Sequence, residues 1–309
     1  MQITAAMVKE IRDITGAGMS ACKNALTEAG GDIKKATELL REKGLAAAAK
    51  KAGRVAAEGL VAASLSTDRK SGAIVEVNSE TDFVAKNEDF ITFVQQVADQ
   101  ALASSAANVD ELLAEAWLPN PGQTVKDVLN GKVAIIGENI GIRRFEKFNA
   151  GENSAVVHYI HHGGRVGAMV EVSAPAVNDE IIEAGRNVCM HISMMAPQFL
   201  SMDLIPAEQM KAETDFQTST ALKENEEAEK PKPAQIIENM VKGRVAKHFK
   251  ALCLLEQEYV KDGQFTVDGY MKSVNKDAKI VRYARFERGE GVEKKEENFA
   301  DEVAKAMQG

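Results

Sequence analysis

Aromatic side chains are scarce: Phe, Trp and Tyr together make up 5% of the 309 residues, with a single Trp. Scarce aromatics beside plentiful Ala favour helix. Cysteine is also rare. Cys22, Cys189 and Cys253 are far apart and form no CxxC pair, which excludes a disulfide framework or zinc knuckle and points to a reducing compartment. No apolar run approaches the roughly 20 residues of a membrane helix. The opening MQITAAMVKE lacks the basic stretch and apolar run of a signal peptide, so the chain is expected to be soluble and cytoplasmic. Basic charge is in deficit, 38 Lys and Arg against 46 Asp and Glu for a net −8. Broad binding to nucleic acid or to an anionic membrane is thereby disfavoured. No phosphate-cradling loop, Rossmann fingerprint, nucleophile elbow or HExxH motif occurs, and no cofactor is expected.

What is present is a chain long enough for more than one module. Met7, Val8, Ile11 and Ile14 recur at helical spacing before Gly16 and Gly18 break the pattern. A second short helix carries Cys22, Leu26 and Ala29, and a third, N-capped by Asp32, carries Ile33, Ala36, Leu39 and Leu40. LAAAAKKAGR, from Leu45 to Arg54, offers little to bury and reads as a linker or exposed helix. GLVAASLS, TDRKSG and AIVEVN then form a strand, turn and strand, followed by a helix over about 88–103. NSAVVHYIHHGGRVGAMVEVS repeats that design, with its own helix over about 179–195.

The repetition is close, since GAIVEV at 72–77 and GAMVEV at 167–172 differ at one position. A second matched pair runs TV, helix, strand and begins at Thr124 and Thr266. Matching Arg144, Phe145 and Glu146 to Arg285, Phe286 and Glu287 gives the second copy about 46 extra residues. That insert is expected at about 206–252, as two helices joined through Lys230-Pro231-Lys232-Pro233, with Phe216 packing on the returning helix. Phe299, Val303 and Met307 predict a short terminal helix. The expected fold class is α+β, divided as a three-helix domain with linker (1–55), a first core subdomain (56–149), a second (150–286) bearing the arm, and a terminal module (287–309).

Two constellations bear on function. His158, His161 and His162 with Glu171 could hold a catalytic metal, but an extended strand points His158 and His161 to opposite faces. The second is NSETDFVAKNEDF at 78–90, where Phe83 stands among polar neighbours. An unbroken helix from Thr81 to Ala103 would bury Phe83 on the same face as Phe90. A break at Asn87, a good N-cap, would instead leave 79–86 as a separate turn, with Ser79 and Asp82 spaced as a capping box. The pattern leaves both open.

TGAGMSACKNAL at 15–26, GDIKKATELLREKG at 31–44, EVNSETDFVAKNEDF at 76–90, IGENIGIRR at 136–144 and RFERGEGVEKKEENFADEV at 285–303 occur in order along the chain. In these stretches it resembles the elongation factor Ts family, the nucleotide exchange factors of the translational GTPase elongation factor Tu. The resemblance implies a ubiquitin-associated-like three-helix domain, two related core subdomains with antiparallel sheets, a protruding coiled coil and a C-terminal helical module. It implies that Thr81, Asp82, Phe83 and Val84 contact the GTPase, the ring entering between two helices and dislodging the nucleotide's Mg²⁺. Further contacts are implied for Met19, for Ile136 and Gly137, and for His162; family members often have a large residue where this chain has Ser20. Direct nucleic-acid or membrane partners are not implied, and the arm is a candidate for self-association. The readings set against exchange are a metal-dependent enzyme using His158, His161 and Glu171, and a passive GTPase-binding protein.

Overall fold

The computed structural model describes residues 3–293. Helix α1 (Ala5–Thr15) is capped by the Thr4 hydroxyl, which accepts the Met7 amide, and stops at Gly16 in the left-handed region. Helices α2 (Met19–Glu28) and α3 (Ile33–Lys51) follow, the latter capped by Asp32. Ile11, Cys22, Ala25, Leu26 and Ala36 form their shared centre. Of the two readings of LAAAAKK, the exposed helix holds and the linker does not: it extends α3, whose Gly44 approaches the backbone of Asn130 and Gly131 while Ala48 packs on the neighbouring core. Small side chains are what permit that approach.

The next unit runs β1 (Glu58–Leu65), β2 (Ser71–Ser79), α4 (Asp82–Ala85), α5 (Glu88–Ala103), α6 (Val109–Ala114), the hairpin β3 (Ala116–Trp117) and β4 (Asn120–Thr124), α7 (Val125–Ile136) and β5 (Gly141–Asn149). The second runs β6 (Ser154–His161), β7 (Val166–Ser173), α8 (Asp179–Met195), α9 (Ala207–Glu226), α10 (Ala234–Leu252), α11 (Val267–Val274) and β8 (Lys279–Glu287). Each unit forms an antiparallel three-stranded sheet, ordered β1-β2-β5 and β6-β7-β8.

The registers match position for position. Gly72 faces Phe148 and Glu76 faces Arg144, as Gly167 faces Phe286 and Glu171 faces Arg282, with an irregularity just after each glutamate. GAIVEV and GAMVEV are thus the equivalent central strands. The counterpart of Arg144 is Arg282, not Arg285, so matching the two RFE triplets slips the alignment by three positions.

Both central strands are buried almost throughout because each sheet is covered on both faces. One face of the first sheet packs on α5 and α7 through Val75, Val77, Phe90, Phe93 and Leu129. One face of the second packs on α8 through Val170, Val172, Ile181 and Val188. The remaining faces meet in a common layer of Val61, Ile74, Phe148, Val156, Met169 and Phe286. Gly72 and Gly167 make that meeting close, since a Cβ at either would lie 2.6 Å from a valine methyl of the opposite sheet, Val156 or Val61. The Arg144 guanidinium lies 4.3 Å over the Phe286 ring and the Arg282 guanidinium 4.3 Å over Phe148, a reciprocal pair that stitches the sheets together.

The arm is the helix pair α9 and α10, joined through the expected proline segment and packed through Ala221, Ile237, Val241, Val245 and Phe249. Phe216 does not pack on the returning helix but is 63% exposed. The terminal helix expected at Phe299, Val303 and Met307, with most of the module 287–309, lies outside the described residues. No helix among the described residues is long and apolar enough to cross a membrane.

Candidate functional site

At the end of β2 the chain leaves the sheet through Glu80 and enters α4, a single turn of four residues. The Thr81 hydroxyl accepts the Val84 amide and caps it. Ser79 is therefore not the cap: its hydroxyl donates to the Thr81 carbonyl instead. Asn87 then starts a fresh helix, its side chain accepting the Asp89 and Phe90 amides. This break separates the two phenylalanines. Phe90 is fully buried, whereas Phe83 is 79% exposed. Val84 and Ala85 turn inward and join the core beneath, so the turn is anchored from below while the benzyl group faces solvent.

The turn is also held from the side. Glu138 accepts the Glu80 and Thr81 amides on one oxygen, at 3.1 and 3.0 Å, and the Thr81 hydroxyl on the other, at 2.6 Å. Glu80 in return accepts the Asn139 amide at 2.5 Å and pairs with Arg54 at 3.5 Å. Lys86 sits 2.6 Å from Asp82 and 5.9 Å from the centre of the Phe83 ring. Its hydrogen bond holds the Asp82 carboxyl below the usual carboxylate range.

Ile136, half-buried, ends α7, and Gly137 caps it at φ 86°, placing that turn against the TDFV segment through Glu138. Met19 is 64% exposed at the start of α2. Ser20 beside it shares with Ile135 and Arg41 the wall of a cavity of about 480 Å³ between the three-helix domain and α7. His162 is exposed, at φ 46°, on the turn joining β6 to β7, its ring stacked 4.1 Å from that of His161. The adjoining Gly164 packs on Leu60 of β1. The candidate residues thus form several separate elements, of which TDFV and the Ile136–Gly137 turn are directly bonded.

The histidines assemble no metal centre. Among the described residues there is no group of three or more His, Cys, Asp or Glu able to hold a metal. Glu171 is engaged on both oxygens, by the Gly151 amide and by Arg282. His161 accepts or donates a hydrogen bond with the Tyr159 hydroxyl at 3.0 Å. His158 is half-buried, and burial, then Arg69 and Arg186, depress its pKa and favour the neutral ring.

Sequence reasoning passed over Glu138, Glu80 and Arg54. The signal was present as Gly-Glu-Asn between a helix and a strand, where an acidic residue has no local partner.

An exposed aromatic ring on a braced turn is a surface suited to docking another protein. A family model described as elongation factor TS matches residues 80–290. The chain is 50% identical over 309 residues to elongation factor Ts of Clostridium botulinum (strain Eklund 17B / Type B), covering 99% of each chain. It is 50% identical over 309 residues to that of Clostridioides difficile (strain 630), again 99% of each. Identity to elongation factor Ts of Clostridium acetobutylicum (strain ATCC 824) is 46% over 310 residues, 99% of each. The chain belongs to the elongation factor Ts family. It is a protein-biosynthesis elongation factor of the exchange-factor kind, not a catalytic enzyme.

Proposed function

We propose that this protein binds the GDP form of elongation factor Tu and speeds GDP release, with Phe83 as a wedge that displaces Mg²⁺ and loosens the phosphate site. The observation that carries the reading is the 79% exposure of Phe83 on a turn whose next two residues are buried. A free protein gains nothing from such a ring. Burying one is worth roughly 1.5–3 kcal/mol, which the partner collects on docking. Mg²⁺ and the β-phosphate share ligands, so a small displacement there loses several charge-assisted contacts together.

Exchange requires factor and nucleotide to weaken each other, and each ~1.4 kcal/mol of coupling is a tenfold change in affinity. Phe83 alone therefore supplies about one to two decades. Thr81, Asp82 and Val84 shape the wedge, and Met19, Ser20, Ile136, Gly137 and His162 extend the interface over separate elements. The work divides over residues 1–55, 56–149, 150–286 and 287–309, with the arm free for self-association through its exposed Phe216, Leu222 and Ile236. The setting is the cytoplasm, with no nucleic-acid or membrane partner.

The test is dissociation of labelled GDP from elongation factor Tu. The protein is expected to accelerate it, and Phe83→Ala to remove about one to two decades of the acceleration without changing the circular dichroism of the free factor. Complex formation with unaltered nucleotide release would instead establish a passive binding protein.

A further inference from the structure

We propose that Glu138 is the positioning residue of the wedge: its carboxylate, by holding three donors of Glu80 and Thr81, sets the direction in which Phe83 leaves the surface. This inference rests on the exchange reading above.

A four-residue helix has too few internal hydrogen bonds to fix its own orientation. Its direction must come from contacts outside it. Val84 and Ala85 supply one from below. Glu138 supplies the other, and its reach is specific: both amides that precede α4 end on one oxygen and the capping hydroxyl on the other. Charge-assisted bonds of this kind are about twice as strong as neutral ones. Glu138 is itself placed, because Gly137 terminates α7, the Asn139 amide is held by Glu80, and the Asn139 side chain donates to the Arg54 carbonyl at 2.7 Å. Glu138 thereby holds the Glu80 amide, while Glu80 holds the amide of Asn139, the residue that follows Glu138.

The second sheet unit provides an internal control. Gly141 faces Asn78 as Lys279 faces Ser173, so counting back along each strand puts Lys276 where the first unit has Glu138. The strand-to-helix connection of that second unit is Ala174-Pro175-Ala176-Val177, with no helical turn and no exposed aromatic. The acceptor stands in the unit that has a wedge to hold and is replaced by a cation in the unit that has none. One consequence is that the Ile136–Gly137 turn and the TDFV segment move together, as a single docking element.

The test measures labelled GDP release from elongation factor Tu as a function of factor concentration. It compares the native chain, Glu138→Ala, Glu138→Gln, Phe83→Ala and the double variant Phe83→Ala/Glu138→Ala. Glu138→Ala is expected to lower the plateau rate about tenfold, with a much smaller change in the half-saturating concentration. Glu138→Gln keeps an oxygen for the two amides and is expected to restore most of the rate. Adding Glu138→Ala to Phe83→Ala is expected to cost nothing further. Full plateau activity in Glu138→Ala, beside a slow Phe83→Ala, would overturn the positioning role and leave the wedge standing. A Gln variant as slow as the Ala variant, with the native difference vanishing at high salt, would assign the effect to charge at the partner surface and also overturn it. An unimpaired Phe83→Ala would sink the wedge reading itself.

Discussion

The two sheet units share strand order, register and the position of an irregularity, yet they differ in how the central strand reaches its helix. In the second, Ala174 to Val177 cross directly to the Asn178 cap of α8. In the first, a longer connection from Glu80 to Lys86 precedes the Asn87 cap of α5 and makes room for α4 and Phe83. The insertions are reciprocal, because the second unit carries the α9–α10 arm where the first has only α6 and a small hairpin. A buried central strand tolerates little change. Its outgoing loop is free to acquire a projecting side chain, and that is where the two units diverge.

The largest expected effects lie on what the units still share, the buried glutamate of the central strand. Burial works against the charge of Glu76, but Asn78, the Gly289 amide, Arg143 and Arg144 hold its carboxyl below the usual range. Among the described residues Glu171 has only Arg282 and the Gly151 amide. Glu76→Ala should cost about 2–4 kcal/mol and Glu171→Ala about half that, read as shifts in urea midpoint. The pH dependence follows from the depressed pKa of Glu76 in the folded state. Its stabilisation is fully present above the unfolded value near ~4.3 and is lost as pH falls through the lower folded value. Within that window, as pH falls from about 4.3, stability should drop more steeply for the native chain than for Glu76→Ala. Equal losses from the two substitutions would mean that the units are held alike despite their different donor sets.

Next in size is removal of the difference itself. Replacing residues 80–86 with the Ala174–Val177 connection should leave a cooperative thermal transition while GDP release loses about one to two decades of acceleration, matching Phe83→Ala. If release stays fast, the extra turn is not where the units' functions part.

Legibility in the sequence followed the range of the forces involved. Helix α5 was readable to its ends, Glu88 and Ala103, because its apolar period and its Asn87 cap are local. The repeat was readable from GAIVEV and GAMVEV, but the RFE triplets misled, since register is fixed by cross-strand pairing and not by likeness of letters. Phe216 was expected inside because its helix faces a partner, yet α9 has little apolar bias to fix its rotation and buries Ala221 instead. The hairpin β3–β4 escaped notice, being too short for a period. Phe83 was undecidable from spacing: a heptad step from Phe90 fits a buried stripe, and the Glu138 carboxylate that holds its turn lies 57 residues from Thr81.

The smallest expected effect separates the surface ion pair beside the wedge from the Glu138 clasp. Lys86 bonds Asp82 and approaches the Phe83 ring, but it does so from solvent, its side chain 73% exposed. An exposed pair one helical turn apart gains little Coulomb energy in water, and that little is screened by salt. The clasp at Glu138 is half-buried and ends on backbone amides, which salt does not compete away. Lys86→Ala should therefore leave the melting temperature unchanged and alter GDP release by less than about twofold, with the same salt dependence as the native chain. A loss as large as that of Glu138→Ala, growing at low salt, would show that the ring is aimed by its surface ion pair and not by the Glu138 carboxylate.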